Sequence, residues 1–264
     1  IRMVRFKFII AVNILIQAFS AFGHCQAFIA DAGATMRTPE NLKPFTLYAG
    51  EAIRQFMDRR KVPGLSVAIT DRNGIIWAAS FGVRDTVSHR AVDNETIFGV
   101  ASVTKPVTAT VILKAVQEGI LALDVPVTEY MPGLRLFSRF EKHPERKITL
   151  SHLLSHRAGM THEAPLGNNW DGINCSFEDH IGSINGTWLK HPVGQRYDYS
   201  SSGFDLAAFV LQCASGIDYP EFAEKLLFVP LGMSRTSVNG NSILSDGNRA
   251  SGYTLRYRNT PPVF

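Results

Sequence analysis

The chain has 264 residues, 45% of them hydrophobic and 19% charged, a balance that buries a sizeable core and excludes an intrinsically disordered protein. Its formal charge is +4, yet Arg2, Arg5 and Lys7 supply three of those charges before the first acid, Asp31. Beyond that leader the charges nearly balance and no Lys- or Arg-rich run remains, which leaves nucleic-acid binding without an electrostatic basis.

In chain order, residues 1–30 read as a secretory signal peptide. A basic start precedes an apolar run over residues 8–22, interrupted by Asn13, Gln17 and Ser20, with small-residue cleavage options near Ala27 or Ala30. The expected location is periplasmic or secreted. A membrane contact is expected only if the leader stays uncleaved, and the run is short and broken for a spanning helix. Cys25 follows the bulky His24, which argues against lipid attachment there. Residues 31–44 read as a linker and residues 45–264 as one domain.

Within that domain, Ala49, Ile53, Phe56 and Met57 recur at helical spacing and predict an amphipathic helix over residues 47–60, stopped by Val62-Pro63-Gly64. Residues 65–70 and 75–83 are apolar and β-branched around the turn Asp71-Arg72-Asn73-Gly74, which predicts a hairpin that begins an antiparallel sheet. A helix is predicted over residues 103–118, with Val107, Val111, Ile112 and Ala115 on one face, Pro106 in its first turn and Gly119 at its stop. Further helices are predicted over residues 148–156, 204–214 and 219–228. Strands followed by a helix-rich middle argue an α+β arrangement, not βαβ alternation.

Ser102 and Lys105 stand three residues apart at the start of the third predicted element, so their side chains share one helix face. A serine hydroxyl becomes a useful nucleophile only when a neighbour takes its proton, and a lysine can do so when burial or nearby positive charge keeps part of it neutral. The pair alone is weak, because Ser-x-x-Lys arises by chance in a chain of this length.

The surroundings carry more. Phe98-Gly99-Val100-Ala101-Ser102-Val103-Thr104-Lys105, then Ile148-Thr149-Leu150-Ser151-His152-Leu153-Leu154-Ser155-His156 with Gly159-Met160, then Pro192-Val193-Gly194 and Tyr197-Asp198-Tyr199-Ser200-Ser201-Ser202-Gly203-Phe204, then Pro230-Leu231-Gly232-Met233 and Arg249-Ala250-Ser251-Gly252-Tyr253, stand in that order. Over roughly residues 45–255 this order resembles the serine β-lactamase and penicillin-binding-protein superfamily, most of all its class C-like and esterase-like branch.

The resemblance implies a β-lactamase-like fold, an antiparallel sheet with a large helical region. It also implies a serine hydrolase that works through an acyl-enzyme on amide, lactam or ester substrates. In that family Ser102 would be the nucleophile, Lys105 its partner, and Tyr199 the general base and then acid toward the leaving group. Tyr197 would fill the aromatic structural position, and His152 a structural one. No cofactor or metal is implied, and the expected partner is a small-molecule or peptide acyl compound.

Two departures qualify the expectation. Ser201 stands where the class C pattern has an asparagine whose amide binds the substrate's acyl side chain, so Ser201 is a shorter substrate-binding candidate. The family's third motif, Lys or His followed by Ser/Thr and Gly, does not follow Tyr199. The look-alikes Ala214-Ser215-Gly216 and Ala250-Ser251-Gly252 carry alanine in place of the cation.

After Tyr253 only residues 254–264 follow, too few for the sheet strands and closing helix the resemblance implies, so a C-terminally incomplete domain is expected, its hairpin edge prone to association. The alternative function is an inactive or truncated relative that binds acyl compounds without turnover. Cys175 and Cys213 form either a disulfide in an oxidising compartment or two separate buried thiols.

Overall fold

The computed structural model describes residues 39–168 and 174–253. The expected signal peptide, Cys25, most of the expected linker and residues 254–264 lie outside them.

A short 3₁₀ turn at Glu40–Leu42 leads into α1, Lys43–Arg60, so the last part of the expected linker is turn and helix. Pro44 sits in the first turn, where its missing N–H costs nothing. Lys61 then closes the helix in the left-handed region at φ 55°.

The hairpin forms as expected, with slightly wider limits. β1 is Gly64–Asp71 and β2 is Gly74–Gly82, antiparallel, with Val67 opposite Ala79 and an irregularity between Ile69 and Thr70. Among the described residues these two strands are the whole sheet.

α2, Thr104–Gln117, follows a 3₁₀ turn at Ala101–Val103. Thr108, Val111, Ile112 and Ala115 are its buried positions, the spacing of a single core-facing stripe. The helix expected over residues 148–156 contracts to α3, Leu150–Leu154. Thr149 caps it in a reciprocal box with His152, whose Nδ1 lies 3.0 Å from the Thr149 hydroxyl. His152 is thus a capping residue, in keeping with a structural part.

α4 is Phe177–Gly182 and α5 is Ser201–Ser215. α5 begins three residues before its expected start because Ser200 serves as cap, accepting the Gly203 N–H. The helix expected over residues 219–228 is α6, Tyr219–Ala223, continued by a wider π turn over Glu224–Phe228. A last short helix, α7, covers Gly240–Ser245.

α2 and α5 pack together at the centre of the core. Val111, Ile112, Leu206, Leu211, Leu150 and Ile148 are fully enclosed there. Two remote segments are tied by polar groups. Asn248 Nδ2 donates to Asp93, its Oδ1 accepts from Arg84 and Thr96, and Ile97 pairs with Asn248 and Ala250 through backbone bonds. This anchors the strand-like stretch that runs into Ser102. Cys175 and Cys213 are both free thiols, the first half-buried and the second exposed, so they are unpaired, but neither is buried as the alternative to a disulfide expected.

Candidate functional site

Ser102 lies in the 3₁₀ turn just before α2 and is exposed. Its predecessor Ala101 has φ 45°, a conformation that side chains with a Cβ rarely adopt, that costs about 1–3 kcal/mol and that persists only where the surroundings impose it. That turn swings the serine out from the helix axis, and Lys105 follows one turn later on the same face.

The Lys105 ammonium donates to Ser102 Oγ at 3.4 Å and to Ser201 Oγ at 3.3 Å. Tyr199 brings its phenol in from the segment before residue 201, donating to Ser102 Oγ at 2.8 Å. The Lys105 ammonium also lies 4.8 Å from the centre of the Tyr199 ring, close enough for a cation–π contact. Lys105 and Tyr199 therefore meet at the Ser102 oxygen, and Ser201 joins the group through Lys105. Tyr197 does not join them; it is exposed and turns its ring edge to His156.

Burial pushes the Tyr199 phenol up, but its hydrogen bonds with Lys105 and Ser102 and the lysine charge outweigh that and hold it below its ordinary value. A phenol with more anionic character is a better acceptor for the serine proton.

The site opens into a cavity of about 1060 Å³, whose walls include His162, Glu163, His180 and Asp205. On α5, Ser201, Asp205, Ala208 and Gln212 line it, the i, i+4, i+7, i+11 spacing of one helix face. His180 bridges Leu166 O at 2.7 Å and Asp205 Oδ2 at 3.2 Å. Both of its ring nitrogens thus face acceptors, which only an imidazolium satisfies. The bond to Asp205 accordingly raises its pKa.

The segment before α5 is held from several sides. Asp198 accepts from Lys190 at 2.6 Å and from His191 at 2.8 Å. The Ser200 and Ser202 hydroxyls both donate to Thr161 O, and the Ser201 and Ser202 amides donate to His162 O. His156 stacks on Tyr199, with ring centres 4.5 Å apart. Sequence reasoning did not find His156, His162, Glu163 or His180 as parts of the site. The available signal was the nearness of His162 and Glu163, which line the cavity, to the resembling His156 and Gly159 in the chain.

Neither look-alike of the third motif faces Ser102. Gly216 is the left-handed C-terminal stop of α5, and the Ser215 hydroxyl bonds back to Leu211 O. The Ala250 and Ser251 amides are taken by Ile97 O and Arg84 O.

Comparison with known proteins places this geometry in a family. Penicillin-binding protein 4* of Bacillus subtilis (strain 168) is 28% identical over 178 residues, covering 66% of this chain and 37% of the relative. Esterase EstB of Burkholderia gladioli is 30% identical over 191 residues, 68% of this chain and 48% of the relative. The solved structure of the octameric penicillin-binding protein homologue from Pyrococcus abyssi superposes with a TM-score of 0.64 at 28% identity, over 80% of this chain and 48% of that one. The chain thus spans half or less of the length of these proteins. Residues 50–263 match the family model described as Beta-lactamase, and the chain belongs to that family.

Proposed function

We propose that the chain acts as a serine hydrolase, through an acyl-enzyme, on amide, lactam or ester carbonyls. The observation that supports it most is the meeting of the Tyr199 phenol and Lys105 ammonium on Ser102 Oγ at the mouth of an open cavity. The esterase and penicillin-binding relatives support the same substrate chemistry.

In this reading Ser102 Oγ attacks the carbonyl carbon while its proton passes to the Tyr199 oxygen, which reacts as phenolate beside Lys105. The tetrahedral oxyanion collapses, the C–N or C–O bond breaks, and the proton moves from Tyr199 to the leaving nitrogen or oxygen. Water then attacks the acyl-enzyme, gives its proton to Tyr199 and releases the acid, restoring the Ser102 hydroxyl. Ser201 holds Lys105 and meets the acyl side chain with a short donor and acceptor in place of an amide. The basic-then-apolar leader supports export, so the reading extends to a periplasmic or secreted protein.

Turnover of a chromogenic cephalosporin and of a short-chain nitrophenyl ester by the full chain tests the proposal. Hydrolysis of either that disappears in Ser102→Ala is the expected result. No hydrolysis and no covalent capture by a serine-directed probe would favour the non-turnover relative instead.

A further inference from the structure

The residues 198–200 are all gripped by a single side chain and its backbone. The His156 carbonyl accepts the Asp198 N–H at 2.8 Å. Its ring stacks on Tyr199 with an interplanar angle of 28°, and its Nδ1 accepts the Ser200 N–H at 3.1 Å. His156 itself adopts φ 58°, a left-handed turn that aims the ring out of the end of α3 and under the tyrosine. The Phe204 ring also packs against the His156 ring, with centres 5.0 Å apart.

We propose that His156 is a positioning residue that holds the Tyr199 phenol on Ser102 Oγ, and that it does so only as the neutral Nε2–H tautomer. This rests on the reading of Tyr199 as the proton carrier for Ser102. The tautomer follows from the contacts. Nδ1 receives the Ser200 N–H, so the ring proton belongs on Nε2. Ser200 is 3% exposed, so water does not replace that acceptor, and a proton on Nδ1 would set two donors against each other.

The charged and titratable groups around His156 point the same way. Lys105 faces it from the start of α2, and His162 and Glu163 lie on the neighbouring loop. Tyr197 and Tyr199 contact it from the segment before α5, Phe204 of α5 adds no charge, and Arg157 is its chain neighbour. Burial and the Lys105 charge keep the imidazole below its ordinary pKa. Protonation below that point removes the Ser200 bond and places a second cation beside Lys105, so the tyrosine loses its seat.

Two variants and one spectrum test this. His156→Phe keeps a stacked ring and loses the acceptor, while His156→Gln keeps an acceptor and loses the ring. The rate of Ser102 acylation by a serine-directed covalent probe is followed against pH for both and for the parent chain. His156→Phe should acylate about tenfold to a hundredfold more slowly at unchanged probe affinity, as a misplaced catalytic group does. It should also lack the parent's acid limb, and His156→Gln should recover part of the rate. Parent-like rates and an unchanged acid limb in both variants would overturn the inference.

Histidine ¹⁵N NMR of the parent chain reads the inference without any turnover. An unprotonated Nδ1 at neutral pH, with the Tyr199 ring and Ser200 amide resonances moving together as His156 titrates, supports it. An Nδ1–H tautomer, or Tyr199 resonances indifferent to that titration, overturns it. A parent chain that the probe never labels would instead remove the serine hydrolase reading, and the spectrum would still decide the role of His156.

Discussion

At Ser102 the chemistry depends on two donors that reach one oxygen from different elements, Lys105 from α2 and Tyr199 from the segment before α5. Tyr199→Phe keeps the ring, its stacking on His156 and its contact with Lys105, and removes only the proton carrier. Acylation of Ser102 is expected to fall roughly 10²–10⁴-fold, measured as the second-order rate with a covalent probe. A loss below tenfold would show that Lys105 carries the proton unaided. Ser201→Asn restores a longer amide beside Lys105. One added hydrogen bond contributes about 0.5–1.5 kcal/mol, so the ratio of cephalosporin to ester turnover should rise a few-fold; an unchanged ratio would mean that Ser201 does not touch the acyl group. Ser102, Lys105, Tyr199 and Ser201 were all legible in the sequence because local spacing and resemblance mark them. His156 and His180 were not, since a histidine's partners across the chain, Ser200 in one case and Asp205 in the other, leave no local trace.

Among the elements, the hairpin and the long helices were legible through alternation and helical spacing, whereas the start of α5 was set by a side-chain cap. Ser200 illustrates the difference: its hydroxyl caps α5 at Gly203 N and also donates to Thr161 O, so it both starts the helix and ties it to the loop at the site. Ser200→Ala should lower stability by about 0.5–2 kcal/mol, read from a denaturant midpoint. A neutral effect would show that the Gly203 N–H and the Thr161 carbonyl find other partners. Gly159 is a second such point. It adopts φ 76°, and a Cβ there would lie 2.3 Å from His191 O. Since Lys190 N donates to Gly159 O, the two backbones cannot move apart without losing that bond. Gly159→Ala is expected to cost about 1–3 kcal/mol, and a chain that melts like the parent would contradict the close approach.

For the whole molecule, the α+β class followed from the order of elements, but the joining of residues 93–97 to residues 246–250 through Asn248 and Arg235 did not. Such links pair residues about 150 positions apart and no periodicity encodes them. Global stability should carry a pH signature of the His180–Asp205 contact across α4 and α5. The folded pKa of His180 is raised, so its contribution is fully present below the unfolded imidazole value of about 6.5 and is lost as pH rises through the raised folded value. The stability gap between the parent and His180→Asn should therefore narrow as pH climbs through that range. A gap that widens would show that the imidazole is neutral in the fold.

The most direct test of the convergence at Ser102 is peptide mapping by mass spectrometry after the full chain is exposed to an acylating β-lactam or activated ester. The account predicts one acyl adduct, on the peptide that contains Ser102, absent in Ser102→Ala and strongly slowed in Tyr199→Phe. An adduct on a different residue, or one that forms at the parent rate when the Tyr199 hydroxyl is removed, would contradict it.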